Sequence, residues 1–445
     1  MNQAPGYPHP TPSLPFWLQG TRSSSLLKHR TTETLPERSK ITIIGSGFSG
    51  VATAYFLLTG PNPPESLTIL EAREACDGAT ARNGGHCRPD CFRAYPEYKA
   101  AFGREQALKI IQNEMDTLEL VTEIIKKEGV NCDFWRGFSY DVAMDQNVAD
   151  SIAASYKEFV ADGGPVSGIV ESILDPDAAK EATRCRLAVA AFRIPGASLW
   201  PYKLVVHLLK LCIEKHGLNL QTNTPVRRVV LGADGGWQVE TDRGSLHTEK
   251  VVYATNAFTA TLLPEFIGRM WPYRGQCSAV VPTPAYSGAA MLTHTYGLGY
   301  GDMVDYLIQR PSDGIIIFGG GSRAVSRERL RGNTDDSSVY PEISQALKTA
   351  LPRYFEGWGE EASGEGQIHV WTGIMAHTRE GIPFVGEIHD RPGAFILAGH
   401  QGHGMARIMA CAKGLAALIQ GASWESTGLP ECFRPSHERM SVPGQ

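Results

Sequence analysis

The stretch ITIIGSGFSGVATAYFLL, residues 41–58, places a glycine-rich turn between a short β-branched run and an apolar run. Its glycines, Gly45, Gly47 and Gly50, have the G-x-G-x-x-G spacing, which is informative only between a strand and a helix. Both elements are predicted here, because ITII is typical of a buried strand and VATAYFLL of a helix that ends at Gly60. The stretch therefore predicts the opening strand, turn and helix of a dinucleotide-binding fold.

A second predicted strand, LTIL, leads to Glu71, about 20 residues after the glycines, where such folds carry an acid. The three glycines allow, in order, a tight turn, close approach of the backbone to a pyrophosphate, and close packing of the helix on the strand. The helix N-terminus offers N–H groups to the phosphates, and Glu71 can accept hydrogen bonds from ribose hydroxyls. With both strands and the acid in place, the motif favours dinucleotide binding over a merely structural glycine turn.

The size and composition of the chain are those of an ordinary globular protein with two domains. Its 445 residues exceed what one hydrophobic core usually serves, and 42% are hydrophobic and 20% charged. A formal net charge of −5 gives no reason to expect nucleic acid or an anionic membrane as a partner. No apolar run approaches the roughly 18 residues that span a bilayer, and no signal segment is apparent. The nine cysteines, odd in number and scattered, indicate reduced thiols and a cytoplasmic protein.

Two groups of residues have the composition of partial metal sites. The first is His86, Cys87 and Cys91, but no second ligand pair at matching spacing follows it. The second is His400 and His403, which stand in a turn dense in glycine. We expect no metal ion at either place.

The pattern along the chain predicts an α/β fold with α+β insertions: a Rossmann-type domain and a second domain with a mixed, largely antiparallel sheet. Strand–helix material opens the chain, returns in its middle and closes it. Residues 1–38 are rich in Pro, Ser and Thr and are predicted as an extended arm, which Phe16 and Trp17 are candidates to pin to the body. The predicted boundaries are 39–96, 195–263 and 369–425 for the dinucleotide domain, 97–194 and 264–368 for the second, substrate domain, and 426–445 for a C-terminal tail.

The stretch GATARNGGHCRPD, residues 78–90, bears on which dinucleotide is bound. A domain for NAD normally moves on to its next strand–helix–strand crossover at this point. This chain has a basic, glycine-dense turn instead, with Arg82 and Asn83. Such a turn suits a flexible backbone against a large planar cofactor, with N–H groups and an arginine facing the polar edge of that cofactor. The stretch therefore favours FAD over NAD.

The chain resembles the D-amino-acid oxidase superfamily of FAD-dependent amine oxidoreductases, nearest to its sarcosine oxidase and gamma-glutamylputrescine oxidase-like branch. The resemblance covers about residues 39–420 and is carried by GSGFSG, ILEARE, GATARNGG, TPVRRV, YATNA and AGHQGHGM. It implies that Glu71 holds the adenosine ribose, that Val226 contacts adenine through its backbone, and that the turn 399–405 places a helix N-terminus at the pyrimidine edge of the flavin. There, N–H groups would stabilise negative charge on the reduced ring. The residues assigned to the cofactor are Gly45, Ser46, Gly47, Phe48, Ser49, Gly50, Glu71, Ala72, Arg73, Ala79, Thr80, Arg82, Asn83, Gly84, Gly85, Val226, Ala254, Thr255, Gly373, Gly399, His400, Gly402, His403, Gly404 and Met405.

The sequence departs from the family pattern in two places. Sarcosine oxidases carry a flavin-linking cysteine in the segment that matches WTGIMAHTREGIP, where the residues around Gly373 offer no thiol. A lysine is also missing after the final glycine turn, next to Arg407. Noncovalent FAD is therefore expected, and a tether through His86 or Cys87 stays open.

The resemblance implies oxidation of a C–N bond of a small amine or amino-acid derivative to an imine, with O2 as acceptor and H2O2 as product. The cofactor carries the hydride chemistry while the protein orients and desolvates the substrate, so no general base is required. An arginine could clamp a substrate carboxylate, although arginines are more often structural charges, and aromatic residues are more often core. The proposed catalytic residues are His86, Arg274, Tyr306, Trp371 and His403, and further candidates to line the substrate face are Gln276, His377, Arg379 and Arg407.

Three other functions are compatible with the same motifs. An FAD-dependent dehydrogenase would pass its electrons to an acceptor other than O2. A monooxygenase would use NAD(P)H, but aromatic hydroxylases carry a Gly-Asp motif before their last helix where this chain has AGHQGHGM. A flavin-stabilised binding protein without turnover is mildly favoured by the missing lysine and cysteine. No motif determines the substrate or the oligomeric state.

Overall fold

The computed structural model of the protein describes residues 3–441, which form two β-sheets with helices packed against them. The helices are α1 (Phe16–Gln19), α2 (Phe48–Thr59), α3 (Tyr95–Glu128), α4 (Gln146–Ala161), α5 (Pro176–Thr183), α6 (Pro201–His216), α7 (Thr259–Leu262), α8 (Arg327–Leu330), α9 (Pro341–Tyr354), α10 (Gly404–Ile419) and α11 (His437–Ser441). The strands are β1 (Arg38–Ile44), β2 (Leu67–Leu70), β3 (His86–Cys87), β4 (Trp135–Ala143), β5 (Glu171–Ile173), β6 (Ala190–Ser198), β7 (Asn219–Gln221), β8 (Val226–Leu231), β9 (Trp237–Thr241), β10 (Gly244–Tyr253), β11 (Met270–Val281), β12 (Thr295–Tyr300), β13 (Met303–Gln309), β14 (Ile316–Gly319), β15 (Gly366–Thr378), β16 (Phe384–Glu387) and β17 (Ala394–Ala398).

The first sheet, called the parallel sheet, has the strand order β16-β17-β10-β1-β2-β7, with β9 and β8 added beside β10. β1 pairs in parallel with β10 and β2, and β2 pairs in parallel with β7. Ile43 and Ile69 are buried under α2, α6 and α10, whereas Ile44 and Leu70 face a cluster built around β8 and β9. Because both faces of the sheet are covered, β1 and β2 end in apolar residues that face both ways, as is usual for a parallel sheet.

The second sheet, called the antiparallel sheet, has the strand order β15-β11-β14-β13-β12-β4-β6-β3, with β5 beside β6. The pair β12–β4 is parallel. The other pairs are antiparallel. The structure thereby confirms the predicted combination of a Rossmann-type sheet and a mixed, largely antiparallel second sheet.

Local sequence signals mark the ends of the main helices. α3 ends at Gly129 and α6 ends at Gly217, both in the left-handed conformation with φ of 63° and 68°. At the start of α4, the carboxylate of Asp145 accepts a hydrogen bond from the N–H of Val148 at 2.9 Å. Glycine takes up this left-handed conformation without the steric cost that a side chain would bring.

Three predicted domain boundaries do not coincide with the sheets. All of β15 lies in the antiparallel sheet, so residues 369–378 fall outside the parallel sheet to which the sequence assigned them. The boundary at residue 195 falls inside β6, and β3, expected in the dinucleotide domain, pairs with β6. Periodicity indicates where strands are, but their partners depend on side chains distant in the sequence.

The N-terminal arm lies along the body over residues 3–38. Trp17 is completely buried, and its ring lies 5.6 Å from that of Trp200, so it holds the arm as expected. Farther along, the N–H of Thr31 donates to the carbonyl of Leu220 in β7 at 2.9 Å. The predicted arm and C-terminal tail also include residues 1–2 and 442–445, which lie outside the described residues.

Candidate active site

The glycine turn between β1 and α2 has the tight geometry that its spacing predicts. Gly45 has a φ of +109°, and a Cβ there would lie 2.7 Å from the carbonyl oxygen of Ala254. A Cβ at Gly50 would lie 2.0 Å from the carbonyl oxygen of Gly45, so this position also requires glycine. A Cβ at Gly47 would meet Thr80 Oγ1 at 3.4 Å, an ordinary contact. Gly47 is half-buried and is the point where a ligand can approach the backbone.

Glu71 follows β2 beside this turn. Its Oε2 accepts hydrogen bonds from the N–H and the hydroxyl of Ser46 at 2.8 and 2.7 Å, and its Oε1 accepts from the N–H of Arg73 at 2.9 Å. A carboxylate has about four acceptor positions, so one remains for a ribose hydroxyl. The N–H of Thr224 donates to the carbonyl of Glu71 at 2.8 Å, which brings the start of β8, Val226, to the same edge. The positions expected for ribose and adenine are therefore adjacent.

Two helix N-termini meet at this site. α2 begins at Phe48, whose N–H donates to Thr80 Oγ1 at 2.9 Å, and α10 begins at Gly404. The hydroxyl of Ser49 and Nε2 of His400 lie 3.1 Å apart and join the two helix ends. Burial lowers the pKa of His400 to about 3, so its ring is neutral. The partial positive charges of the two ends favour a phosphate or an electron-rich ring.

Residues 78–90, called the cofactor loop, are held by hydrogen bonds from tryptophan side chains. The indole N–H of Trp371 donates to the carbonyl of Arg82 at 2.8 Å, and that of Trp17 donates to the carbonyl of Asn83 at 2.7 Å. The carbonyl of Gly85 accepts a hydrogen bond from the backbone N–H of Leu199, the residue that follows β6. Trp371, a proposed catalytic residue, is completely buried and supports this loop.

The guanidinium groups of Arg82 and Arg73 point away from the position expected for the cofactor. Arg82, whose side chain is 1% exposed, pairs with Asp77 at 3.0 Å and donates to the carbonyl of Thr372 at 3.1 Å. Arg73 pairs with Asp336 at 3.0 Å. This corrects the expectation that the Arg82 side chain faces the polar edge of the cofactor, because a desolvated guanidinium is held by its carboxylate partners. Arg82 and Arg73 can therefore offer the cofactor only their backbone atoms.

One face of the antiparallel sheet, called the inner face, is turned to the cofactor loop. A row of directly paired residues crosses it: Trp371, Cys277, Gly319, Tyr306, Gly297 and Asp141. The ring of Tyr306 covers Gly319, where a Cβ would lie 2.4 Å from it, and also lies against Gly84, where the corresponding distance is 2.5 Å. The row therefore places Tyr306 directly against the cofactor loop.

His86 and Tyr306, two proposed catalytic residues, are in contact. Their rings meet edge to face with centroids 5.6 Å apart, and the Tyr306 hydroxyl lies 3.4 Å from Cys277 Sγ. Nε2 of His86 is buried and has no hydrogen-bond partner among the described residues. Burial lowers the pKa of His86 to about 3 and raises the pKa of Tyr306 well above its usual range. The pair is therefore uncharged near neutral pH.

Arg274 and Gln276, expected at the substrate face, lie on the outer face of the sheet. Arg274 donates to Ser338 Oγ at 3.0 Å, and Gln276 donates to Ser344 Oγ at 2.8 Å. Side chains alternate along a strand, so neither residue shares the face of Cys277. The carboxylate-clamping role expected for Arg274 is corrected accordingly, since its guanidinium anchors the segment before α9.

Arg407 and His403 take different positions around α10. Arg407 is completely buried, and it donates to Glu114 Oε1 at 2.7 Å and to the Tyr98 hydroxyl at 2.5 Å. It therefore joins α10 to α3 and does not line the substrate face. His403 is half-buried at the start of α10, with Nδ1 at 3.2 Å from the carbonyl oxygen of Gln401. Burial lowers its pKa.

The glycine turn before α10 rests on β15. Gly399, with a φ of +84°, donates its N–H to the side chain of Asn256 at 3.1 Å. The N–H of Gln401 donates to the carbonyl of Ala376 at 3.0 Å, and its side-chain oxygen accepts from the N–H of Thr378 at 2.9 Å. These contacts bring the end of the parallel sheet onto the antiparallel sheet, so the site lies between the two.

Three more of the residues expected at the cofactor, Ala254, Gly373 and Met405, contact elements of this site, whereas Arg379 is exposed beyond β15. Ala254 donates its N–H to the end of β1, and the carbonyl of Met405 accepts from Cys87 Sγ at 3.3 Å. A Cβ at Gly373 would lie 2.8 Å from Cβ of Arg82. The assignment of Ala72, Ala79, Thr255 and Gly402 to the cofactor stays a prediction.

The sequence alone did not indicate three residues of the inner face, namely Arg88, Asp141 and Tyr273. Arg88 pairs with Asp141 at 2.7 Å and covers Gly297, where a Cβ would lie 2.8 Å from the guanidinium. The ring of Tyr273 is stacked on that of His377, with centroids 4.4 Å apart. The signal that could have pointed to Arg88 was its place in the sequence, two residues after His86. Its partner Asp141 lies 53 residues farther along the chain, so the sequence did not indicate the pair.

Residues 3–441 have two further general properties. None of their helices combines the length and apolar character needed to cross a membrane. All nine cysteines are free, and burial raises the pKa of Cys87 to about 12, so its thiol stays protonated.

Similarity to known proteins agrees with the geometry of the site. Residues 40–418 match the family described as FAD dependent oxidoreductase, DAO. The probable oxidoreductase OrdL of Haemophilus influenzae is 22% identical over 86% of this chain and 84% of its own length. Gamma-glutamylputrescine oxidoreductase of Escherichia coli is 23% identical over 90% and 88%. Glycine oxidase from Geobacillus kaustophilus is a solved structure with a TM-score of 0.71 and 20% identity, covering 90% of this chain and 99% of that one.

The residues present fit FAD. Gly45 and Gly50 shape a turn that leaves Gly47 open to a pyrophosphate, two helix N-termini supply positive charge, and Glu71 retains an acceptor position for ribose. L-alpha-glycerophosphate oxidase from Mycoplasma pneumoniae, solved with FAD bound, has the same fold with a TM-score of 0.64 at 16% identity over 88% of this chain and 98% of that one. FAD is therefore the cofactor, and the chain belongs to the DAO family of FAD-dependent oxidoreductases.

Proposed function

We propose that this oxidoreductase converts a C–N bond of a small amine or amino-acid derivative to an imine, with O2 as electron acceptor and H2O2 as product. The observation that carries the proposal is the aromatic inner face beside two helix N-termini, where the histidine rings are neutral and the charges of Arg88 and Asp141 pair with each other. Gamma-glutamylputrescine oxidoreductase and glycine oxidase, to which the chain is similar, are both named for amine or amino-acid substrates. Their names support an amine substrate here.

The inner face favours an amine in its free-base form. Burial lowers the pKa of His377 to about 4 and that of His86 to about 3, so neither ring is charged near neutral pH. The charge of Arg88 is balanced by Asp141, whose side chain is 3% exposed. An ammonium would lose its hydration here without gaining a free counter-charge, whereas a neutral amine keeps the lone pair that assists hydride departure.

The residues of this face would orient the substrate. The buried Nε2 of His86 has no partner among the described residues and is a group that can hydrogen-bond the amine. The Tyr306 ring holds His86 in place through its edge-to-face contact. When bound, FAD supplies a hydride acceptor and a carrier for both electrons. The protein contributes orientation and exclusion of water.

The electron balance of the proposed reaction is simple. The substrate carbon loses its C–H as a hydride, and the nitrogen loses one proton, so the C–N single bond becomes C=N. O2 gains two electrons and two protons and becomes H2O2. No other reductant is needed.

Anaerobic mixing of the holoenzyme with a panel of primary and secondary amines tests the proposal. The right substrate should bleach the oxidised flavin band, and air should restore it with stoichiometric H2O2. The bleaching rate should rise with pH through the pKa of the substrate amine itself. His86→Asn should slow bleaching by at least about tenfold, as expected for a lost orienting contact, while His389→Asn, remote from the site, should not.

Other outcomes would point to the remaining functions. Reoxidation by an artificial acceptor but not by O2 would indicate a dehydrogenase, the second candidate, favoured by the likeness to L-proline dehydrogenase from P. horikoshii at a TM-score of 0.69. Bleaching by NADPH alone would indicate a monooxygenase. Failure of every amine to bleach the flavin would indicate a binding protein.

A further inference from the structure

The N-terminal arm contacts the cofactor loop and the adjoining residues at four points. Trp17 donates its indole N–H to the carbonyl of Asn83 at 2.7 Å, and its ring lies 3.0 Å from where a Cβ at Gly85 would stand. Ser13 Oγ lies 3.4 Å from Nη1 of Arg82. The carbonyl of His9 accepts from Nη1 of Arg73 at 3.1 Å. Arm positions 9, 13 and 17 thus hold three successive parts of the chain segment that surrounds FAD.

The arm is itself fixed to rigid parts of the molecule. The carbonyl of Trp17 accepts from the indole of Trp200 at 3.0 Å, and the carbonyl of Leu14 lies 2.7 Å from Nε2 of His369 in β15. Both the N–H and the hydroxyl of Ser13 donate to the carbonyl of Asp336 at 2.8 Å. Asp336 in turn pairs with Arg73. The arm therefore connects the cofactor loop to the antiparallel sheet.

A cavity of about 690 Å³ lies between the arm and the body. Its lining includes Tyr7, Pro10 and Ser13 on the arm, and Ala72, Arg73, Pro225 and Arg227 on the body. These body residues are the chain neighbours of Glu71 and Val226, the positions expected for ribose and adenine. Tyr7 closes this end by covering the guanidinium of Arg227 at 4.5 Å.

We propose that the arm is a brace that retains FAD, and that Trp17 is its positioning residue. Release of FAD from between the two sheets requires the cofactor loop to move. Loss of the Trp17 indole would leave the part-buried carbonyl of Asn83 without its donor, and this lowers the cost of loop opening. The arm thereby sets the rate of FAD release without touching the substrate.

The test compares two tryptophan variants of the holoenzyme. Trp17→Phe removes the N–H but keeps an aromatic ring, and Trp237→Phe is the matched control, since Trp237 is also buried and donates to the carbonyl of Pro392 at 3.2 Å far from the loop. FAD release after dilution is followed by flavin fluorescence, and thermal unfolding of both apoproteins is measured in parallel. Trp17→Phe should release FAD about five- to tenfold faster than wild type, as expected for a lost buried hydrogen bond, and Trp237→Phe should release it at the wild-type rate.

A second variant keeps the proposal testable if Trp17→Phe folds poorly. Ser13→Ala removes the hydroxyl that contacts both Arg82 and Asp336 and should speed release by about two- to fivefold. Wild-type release rates in both arm variants would overturn the proposal. Equal acceleration in Trp17→Phe and Trp237→Phe, following their unfolding temperatures, would also overturn it, because the effect would then be general destabilisation.

Discussion

At the scale of single residues, the three glycines of the G-x-G-x-x-G motif have different roles. Gly45 and Gly50 are required by the fold, since a Cβ at either would lie within 2.7 Å of a backbone oxygen. Gly47 has a φ of −70°, a conformation open to any residue, and a Cβ placed there would lie 3.4 Å from Thr80 Oγ1, an ordinary contact. We therefore expect any requirement for glycine at this position to come from the ligand.

This separation gives a contrast between two substitutions. Gly50→Ala should lower the free energy of unfolding of the apoprotein by about 3 kcal/mol, the upper range of overpacking. Gly47→Val should leave apoprotein stability nearly unchanged but abolish FAD binding, because its side chain occupies the pyrophosphate position. Urea unfolding of the apoproteins and FAD titration measure the two effects. Retained FAD affinity in Gly47→Val would contradict the assignment of this turn.

The attachment of FAD is also decided by single residues. Cys87 is completely buried, and its pKa of about 12 keeps the thiol protonated and a poor nucleophile. We therefore expect acid precipitation of the purified yellow protein to release free FAD into the supernatant. Flavin that stays in the pellet of wild type but not of His86→Asn would instead reveal a tether at His86.

At the scale of elements, α10 is tied to α3 by one buried ion pair. Arg407 and Glu114 are both 0% exposed, and Glu114 Oε2 also accepts the N–H of Asp90 at 2.6 Å. The pair fixes α10, whose start is joined to the start of α2 by Ser49 and His400. A buried charge left without its partner is strongly destabilising.

Arg407→Met should therefore reduce the free energy of unfolding by about 3–5 kcal/mol, because Glu114 loses its counter-charge. The double variant Arg407→Met/Glu114→Gln should recover at least half of this loss, since the amide removes the charge and its oxygen can still serve the N–H of Asp90. Denaturant titration of the three proteins provides the measurement. No recovery in the double variant would mean that packing, rather than charge, explains the role of Arg407.

At the scale of the whole molecule, closing two sheets around the cofactor buries several histidines. The pKa values of His86 and His400 fall from 6.5 to about 3, and that of His377 falls to about 4, chiefly through burial. The unfolded chain therefore binds more protons than the folded one between pH 6.5 and 4. The part of the stability that depends on these neutral histidines is complete above pH 6.5 and is lost as the pH falls through this window.

Each of these histidines should contribute a slope of up to about 1.4 kcal/mol per pH unit in that window. His377→Gln should remove one such contribution, giving a flatter dependence of the apoprotein unfolding free energy between pH 6 and 4.5. Urea unfolding at several pH values measures the slopes. An unchanged slope in His377→Gln would show that this ring is not protonated on unfolding.

The sequence by itself determined the strand–turn–helix–strand that binds FAD, because its signals are local. A Cβ at Gly50 would meet the carbonyl oxygen of Gly45, and Glu71 accepts hydrogen bonds from Ser46, so both contacts lie within one supersecondary unit and the spacing carries the geometry. The same holds for the helix ends at Gly129 and Gly217.

Only the tertiary structure decided which side chains share the inner face of the antiparallel sheet. Arg274 and Tyr273 are neighbours in the sequence, but the alternation of β11 sends one to the outer face and leaves the other stacked on His377. Arg407 finds its partner Glu114 293 positions away. Such choices depend on which strands and helices become neighbours. Neighbours are selected by burial of the whole core and not by any local pattern.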